Sequence, residues 1–339
     1  MTTKNSDNAN ISFLKNIFYR NKKVRFMFAE YLNRCPSLIN KSMIKDITDS
    51  TFVDENTAYC SLLCAALGLN TDTNADDRKL AVGYVFPAVR KLDASVYRRD
   101  PYYRKIVLEN IKCGNFELKY QKYMPYEAFV WRDRVVLDDY TEIPQIGYFT
   151  ESFTYPTLTE NGREWMTVTP NEIETMRSPV YEASGKVVVF GLGLGYYAYL
   201  ISLKADIKEI TIIEKDPSVI SLFREYILPQ FENRNKIKIL NEDAFEYASK
   251  INTEDFDYAF TDIWHDESDG LEAYIKMKGI EKTCSNTKFS YWIEQTLLCS
   301  IREMMFESIE KSGSVSRSDM YNILSDDNLR TVASKMKKL

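Results

Sequence analysis

Apolar residues in the second half of the chain come in short, uninterrupted runs instead of an alternating pattern. Such runs, rich in β-branched residues, predict fully buried strands of a parallel sheet. The predicted strands are Lys186–Phe190, Ile210–Ile213, Lys236–Leu240, Phe256–Thr261 and Phe289–Ile293. Between these strands, apolar residues recur at the spacing of a helix, as at Tyr196–Leu203 and Gly270–Lys278. This alternation predicts an α/β domain with a mostly parallel sheet and helices on both faces.

The first part of the chain follows a different pattern, with apolar residues at helical spacing. Helices are predicted at Ile11–Phe18, Val24–Leu32, Thr57–Leu67 and about residues 78–92. A small β-rich segment follows, and Thr169-Pro170 opens a helix that contains Glu172 just before the first strand of the sheet. We therefore predict a mainly helical domain at 1–133, a β-rich segment at 134–185 and the sheet domain, with a helical C-terminus, at 186–339.

Three glycines lie between the first strand of the sheet and the helix after it, in the run Gly191-Leu-Gly193-Leu-Gly195. Glycine has no Cβ atom and tolerates positive φ, so the backbone can turn sharply here and approach a ligand closely. The N-terminus of the next helix adds unpaired N–H groups. A tight turn that binds no ligand is the alternative for such a run.

Carboxylates follow the other strands of the predicted sheet. Glu214 comes directly after the second strand and 23 residues after Gly191, close to the offset at which βαβ nucleotide sites place a carboxylate on ribose hydroxyls. Asp243 follows the third strand and Asp262 the fourth. Because ligands of open α/β sheets bind at the carboxyl ends of the strands, we predict one site that contains these residues and the glycine run.

Two absent motifs narrow the class of nucleotide. The dinucleotide fingerprint G-x-G-x-x-G needs a third glycine where this chain has Tyr196, which argues against NAD and FAD. No G-x-x-x-x-G-K-[ST] run occurs, so the sequence offers no P-loop for the phosphates of ATP.

The G-x-G-x-G run, with Glu214 and Asp243, resembles the class I S-adenosylmethionine-dependent methyltransferase superfamily. The resemblance covers about residues 140–295 and is greatest for the spermidine synthase-like branch, which also has a small β-rich segment before the glycine strand. It implies a Rossmann-like methyltransferase sheet that binds S-adenosylmethionine, or S-adenosylhomocysteine as product. It also implies that Gly191 and Gly193 lie against the methionine part of the cofactor, that Glu214 binds the ribose and that Asp243 binds the adenine amine.

The same resemblance places Asp262 beside the sulfonium and the acceptor, and adds Gly195 to the cofactor-binding residues. Two departures from the synthases stand out. They carry G-G-G-D-G, whereas Leu194 occupies the position of the aspartate here. They also carry D-x-x-D-P after the fourth strand, whereas this chain has Asp262-Ile-Trp-His265-Asp, with a histidine at the second carboxylate position and no proline.

Methyl transfer is a displacement at a sulfonium, for which the protein positions the nucleophile and takes up its proton. Asp262 and His265, the only histidine of the chain, are the predicted catalytic residues. Trp264 and Asp266 are predicted to line the substrate pocket. We predict a methyltransferase that acts on a small-molecule or protein acceptor. The alternatives are an aminopropyltransferase that uses decarboxylated S-adenosylmethionine, and a non-catalytic module that binds the cofactor or a partner.

Composition and charge indicate which partners and which cellular compartment to expect. The formal net charge is −5, and acidic residues interrupt the basic, tyrosine-rich stretch 98–132, so we expect no nucleic-acid partner. The six cysteines lack clustered partners at metal spacing and are expected to be free thiols, with no metal site. The chain has neither a long apolar run nor an apolar N-terminal signal, so we expect a cytoplasmic protein without a membrane segment. Whether it forms a homodimer is left open.

Overall fold

One long helix, α1 (Thr2–Arg34), begins the chain in the computed structural model, which describes residues 2–252, 255–312 and 322–336. The sequence predicts two separate helices in this region. The two predicted helices form one continuous helix because Asn21, which lies between them, is buried like the apolar residues on either side. Its side-chain amide donates to the Tyr140 carbonyl oxygen at 2.9 Å, and its oxygen accepts from the Tyr84 hydroxyl at 2.8 Å. A hydrogen-bonded polar side chain can be buried in this way.

Helices dominate up to residue 105, short strands fill the middle of the chain, and helices and strands alternate after residue 170. The further α-helices are α2 (Lys41–Thr51), α3 (Glu55–Ala66), α4 (Ala75–Leu80), α5 (Phe86–Ala88), α6 (Ala94–Arg98), α7 (Pro101–Lys105), α8 (Pro170–Thr175), α9 (Arg177–Glu182), α10 (Tyr196–Ser202), α11 (Pro217–Leu222), α12 (Ala244–Ala248), α13 (Glu267–Glu281), α14 (Glu294–Ser312) and α15 (Asp326–Ala333). Turns of π-helix cover Ala81–Val85 and Phe223–Ile227. The strands are β1 (Val89–Lys91), β2 (Ile111–Cys113), β3 (Phe116–Tyr123), β4 (Phe129–Val130), β5 (Val135–Val136), β6 (Glu142–Ile143), β7 (Ile146–Tyr148), β8 (Phe153–Glu160), β9 (Arg163–Thr167), β10 (Gly185–Phe190), β11 (Ile207–Glu214), β12 (Ile237–Asn241), β13 (Tyr258–Thr261) and β14 (Lys288–Tyr291).

The described residues form two compact units, of which the first contains the chain up to Ala94 together with Lys122–Thr154. Its core is built from α1 to α5 around a small sheet in the order β1-β7-β4. The helix predicted at about residues 78–92 is wrong at its end, because Val89–Lys91 form a strand that pairs in parallel with Ile146–Tyr148. The predicted division of the chain into separate domains at residues 133 and 185 stays a prediction.

The second unit contains Ser95–Gln121 and the chain from Tyr155 onward. Its five-stranded sheet has the order β12-β11-β10-β13-β14, and every neighbouring pair of strands is parallel. These are the five strands predicted from the apolar runs, and the predicted α/β, Rossmann-like fold is confirmed. A four-stranded sheet in the order β2-β3-β8-β9 precedes them. Since the strands are parallel, Phe190, Glu214 and Thr261 end them at one edge of the sheet.

The six cysteines are free thiols, and burial raises the pKa of Cys60 to about 12. None of the helices in the described residues is long and apolar enough to cross a membrane. The same residues contain no group of three His, Cys, Asp or Glu side chains that could hold a metal ion. The cytoplasmic location stays a prediction, and the question of a homodimer stays open. The predicted helical C-terminus is represented by α15, and residues 337–339 lie outside the described part of the chain.

Candidate functional site

Gly191 is the residue at which β10 passes into the glycine loop, and its φ is +96°. A Cβ atom at this position would lie 1.9 Å from the backbone carbonyl oxygen of Asp262, the residue that follows β13. The two strand ends are also joined by a hydrogen bond, because the Asp262 amide donates to the Phe190 carbonyl oxygen at 2.9 Å. Glycine is required here by the close approach of two strand ends, which brings Asp262 to the loop.

The other two glycines of the loop face different neighbours. A Cβ atom at Gly193 would meet the methyl group of Met166 at 2.5 Å, so only a flexible side chain from β9 covers the backbone there. At Gly195 a Cβ atom would meet the aromatic ring of Phe223 at 2.3 Å. Gly193 therefore leaves room beside the loop, whereas Gly195 allows α10 to pack against the segment that follows α11.

Glu214, the last residue of β11, fixes the loop with its carboxylate. Oε2 accepts from the Leu192 amide at 3.1 Å, and Oε1 accepts from the Asp216 amide at 2.8 Å. Burial raises the pKa of Glu214, and these backbone amides partly offset the effect. A carboxylate has about four lone-pair positions, so each oxygen can accept one more hydrogen bond, as two neighbouring hydroxyls would supply.

Asp243 lies before α12 and caps its N-terminus. The Phe245 and Glu246 amides donate to it at 2.9 and 3.0 Å, and both bonds fall on Oδ1. Its second oxygen therefore retains acceptor capacity for a ligand amine.

A cavity of about 190 Å³ lies at the carboxyl edge of the sheet, with Trp165 and Met166 of β9 in its wall. The sequence-predicted residues that line it are Gly191, Gly193, Glu214, Asp243, Asp262, Trp264 and His265. Gly195 and Asp266 are not among the described residues that line it. Asp266 instead caps α13, where it accepts from the Ser268 amide at 2.7 Å. The roles of these residues in binding and catalysis stay predictions.

Glu172, a carboxylate that the sequence did not single out for the site, lies beside this cavity on α8. It is only 6% exposed, and its Oε2 has no hydrogen-bond partner among the described residues. Burial raises the pKa of Glu172 well above its ordinary value, and the charge of Asp262 raises it further. Burial also raises the pKa of Asp262 to about 7. Two carboxyl groups in such surroundings resist ionising together unless a cation accompanies them.

Glu172 and Asp262 line a second, smaller cavity of about 20 Å³, which shares Gly191, Leu192 and Met166 with the main cavity. A cavity of this volume holds about one water-sized group. An ammonium group is compact, positively charged and equipped with three hydrogen-bond donors. The small cavity therefore has the size and the charge to hold one ammonium group.

His265 lies at the rim of the main cavity, where its side chain is 46% exposed. Its Nδ1 atom lies 2.8 Å from Oδ2 of Asp269. The Trp165 ring meets the imidazole edge on, with ring centroids 4.6 Å apart. Asp269 also lines the cavity, although the sequence-based site did not include it.

Comparison with known proteins relates this site to one family. Residues 178–311 match the family model of the Spermine/spermidine synthase domain. Three solved structures resemble the chain over less than half of its length. Spermidine synthase from Thermotoga maritima is 17% identical, with 44% of this chain and 55% of that chain covered and a TM-score of 0.33. Spermidine synthase in complex with the transition state analogue AdoDATO is also 17% identical, with 44% of this chain and 56% of that chain covered and a TM-score of 0.34. A probable spermidine synthase from Corynebacterium glutamicum ATCC 13032 is 13% identical, with 45% of this chain and 61% of that chain covered and a TM-score of 0.32. The chain thus spans a little over half the length of these proteins, and no curated protein sequence matches it significantly.

The family match confirms the predicted resemblance to the spermidine synthase-like branch and corrects the predicted reaction. It covers the glycine loop, Glu214, Asp243 and Asp262. The prediction of a methyltransferase that acts on some other acceptor is wrong, because the matching family is that of the spermine and spermidine synthases. The aminopropyltransferase alternative is the better supported one.

Proposed function

We propose that the protein is an aminopropyltransferase, which moves an aminopropyl group from decarboxylated S-adenosylmethionine to an amine acceptor. The observation that carries the proposal is the pair of carboxyl groups of Glu172 and Asp262, which line a cavity of ammonium size next to the glycine loop. The match of residues 178–311 to the Spermine/spermidine synthase domain supports the same class of reaction.

The residues of the main cavity suit the adenosyl part of such a donor. Glu214 has acceptor positions left for the ribose hydroxyls, and the second oxygen of Asp243 can accept from the adenine amine. The volume of about 190 Å³ lies below the ~300 Å³ at which pockets for whole ligands begin. The donor therefore displaces the Met166 side chain, which is the group that covers Gly193.

Leu194 cannot bind the amine of the donor's propyl group, since it is buried and its backbone carbonyl accepts from the Tyr102 hydroxyl at 2.7 Å. Asp262 lines both cavities and is the carboxylate placed to face the reacting end of the donor. The glycine loop of this chain therefore offers the donor's amine no carboxylate.

The raised pKa values of the carboxyl pair suit an amine acceptor for two reasons. An amine reaches the site as an ammonium, whose positive charge stabilises both carboxylates at once. It must then lose a proton before it can act as a nucleophile, and Asp262, whose pKa burial raises, is a stronger base for this proton than an exposed carboxylate. The nitrogen forms its bond to the propyl carbon as the carbon–sulfur bond breaks, and the sulfonium leaves as a neutral thioether.

Amine binding is expected to release protons, because an ammonium that enters between Glu172 and Asp262 drives both carboxyl groups to ionise. Calorimetry with putrescine at about pH 6.5, in two buffers of different ionisation enthalpy, measures this release. Glu172→Gln is expected to weaken binding at least about tenfold and to reduce the release, since one of the two negative charges is gone.

Glu174→Gln is the matched control, because Glu174 lies on the same helix and pairs with Arg177 at 2.9 Å instead of lining the small cavity. It is expected to bind putrescine as the wild type does. Equal affinity and no proton release in the wild type and in Glu172→Gln would remove the observation on which the proposed function rests.

A further inference from the structure

Three nitrogen atoms lie within hydrogen-bond distance of the carboxylate of Asp269 in the first turn of α13. The His265 and Asp266 amides lie 3.0 and 3.1 Å from Oδ1, and the imidazole Nδ1 of His265 lies 2.8 Å from Oδ2. Partial burial acts to raise the pKa of Asp269, but the hydrogen bonds from His265 and Asp266 outweigh it and lower the pKa. The group is therefore an ionised carboxylate at neutral pH, which can only accept hydrogen bonds.

The ionised carboxylate decides which imidazole nitrogen carries the proton. Because Asp269 cannot donate, its contact with Nδ1 is a hydrogen bond only when Nδ1 carries the hydrogen. In the neutral imidazole the lone pair then lies on Nε2. The edge-on contact with Trp165 restricts the ring rotation that would exchange the two nitrogens.

We propose that Asp269 is a positioning residue that holds His265 in the Nδ1-protonated form, so that Nε2 accepts a hydrogen bond from a second donor group of the acceptor substrate. His265 and Asp262 line the same cavity. An acceptor with its ammonium between Glu172 and Asp262 therefore extends into the part of the main cavity lined by Asp262 and His265, whereas the donor is assigned to the part lined by Glu214 and Asp243. The neutral imidazole selects acceptors with a second N–H or O–H group over simple alkylamines of equal length.

The part about the acceptor rests on the proposed function, whereas the part about the tautomer does not. The chain has a single histidine, so ¹⁵N-labelled histidine gives one imidazole spectrum. At about pH 8 the wild type is expected to show a protonated Nδ1 and an unprotonated Nε2.

Asp269→Asn is expected to reverse this pattern. The asparagine side-chain oxygen still accepts the hydrogen bonds from the two backbone amides, so the asparagine NH₂ group faces Nδ1 of His265 and donates to it. Nδ1 must then be unprotonated, and the imidazole proton moves to Nε2. A protonated Nε2 in the wild type, or the same tautomer in both proteins, would overturn the assignment of Asp269. A merely structural role predicts lower stability with no change of tautomer.

Asp216→Asn is the control for the loss of a capping carboxylate, because Asp216 caps α11 through the Ser218 amide at 2.7 Å and does not contact His265. It is expected to leave the imidazole spectrum unchanged. A reversed tautomer in this variant would show that the effect does not come from the contact between Asp269 and His265.

The second readout is the selectivity of the enzyme between 4-aminobutanol and butylamine, which differ in the second donor. Asp269→Asn is expected to raise KM for 4-aminobutanol about tenfold, with little change in kcat and little change for butylamine. An equal rise for both amines overturns the role of Nε2. If the wild type transfers to no amine, the role in acceptor selection falls with the proposed function, and the spectra still decide the tautomer.

Discussion

Asp262→Asn is expected to make the folded protein more stable at pH 8 while it abolishes transfer. Burial raises the pKa of Asp262 from 3.8 to about 7, so the folded protein binds more protons than the unfolded chain between about pH 4 and pH 7. Stability is therefore lost as the pH rises through this window. Each pKa unit corresponds to about 1.4 kcal/mol, and the cost of the ionised group at pH 8 is roughly 2–4 kcal/mol. Asparagine does not ionise and avoids this cost.

Urea denaturation at pH 5 and pH 8 measures the effect as a difference between the two proteins. The wild type is expected to lose much more of its free energy of unfolding between these pH values than Asp262→Asn does. Asp206→Asn is the control, because this exposed residue precedes β11 in a turn and should leave the pH dependence unchanged. If the wild type and Asp262→Asn lose stability in parallel, the carboxyl group of Asp262 does not titrate in this range.

Gly191→Ala is expected to destabilise the protein by about 4 kcal/mol or more. The new methyl group would lie 1.9 Å from the Asp262 carbonyl oxygen, which no side-chain rotation can relieve because both atoms belong to the backbone framework. The ends of β10 and β13 must then separate, and overpacking of this kind costs about 1–3 kcal/mol or more. Alanine at φ +96° adds about 1–2 kcal/mol of backbone strain.

Gly162→Ala separates the backbone strain from the clash. Gly162 also has a positive φ, +80°, but a Cβ atom there meets nothing within 4 Å. The free energy of unfolding of Gly162→Ala, measured by urea denaturation, is expected to fall by only about 1–2 kcal/mol. Equal losses for the two variants would mean that the strand ends can move apart freely, and that the position of Asp262 does not depend on Gly191.

The parallel sheet and the glycine loop could be predicted because each depends on neighbours in the sequence. Uninterrupted β-branched runs have few alternatives to a buried strand, and the carboxyl ends of parallel strands meet at one edge whatever the loops contain. That is why Glu214, Asp243 and Asp262 could be placed around one cavity. The strand at Val89–Lys91 could not be predicted, because it depends on pairing with Ile146–Tyr148, far away in the sequence.

The burial of Glu172 beside Asp262 is the feature of the site that could not be predicted from the sequence. Glu172 lies in the short polar helix PNEIET, where a solvated face is the ordinary expectation for a glutamate. Its burial next to Asp262 is a property of tertiary packing, and no spacing in the sequence encodes it. For Asp269 a signal was available, since Asp266 and Asp269 have the spacing of a capping box and His265 directly precedes them.

The error in the predicted reaction has a physical origin. The glycine loop, Glu214 and Asp243 are the residues proposed to bind the adenosyl part, which the donors of methyl and aminopropyl groups share. What distinguishes the two reactions is the group attached to sulfur and the residues that receive the acceptor. In this chain the residues proposed for that role are the carboxyl pair. One member of the pair, Glu172, lies before the glycine strand and outside the matched residues 178–311.

The products formed from decarboxylated S-adenosylmethionine and putrescine test the proposed transfer most directly. Mass spectrometry is expected to show 5′-methylthioadenosine and an aminopropylated amine in equal amounts with the wild-type protein. Glu174→Gln is expected to form both, and Glu172→Gln neither above background. With S-adenosylmethionine in place of the decarboxylated donor, no S-adenosylhomocysteine is expected. If the wild type forms no more 5′-methylthioadenosine than a reaction without protein across a panel of mono- and diamines, the protein is not an aminopropyltransferase.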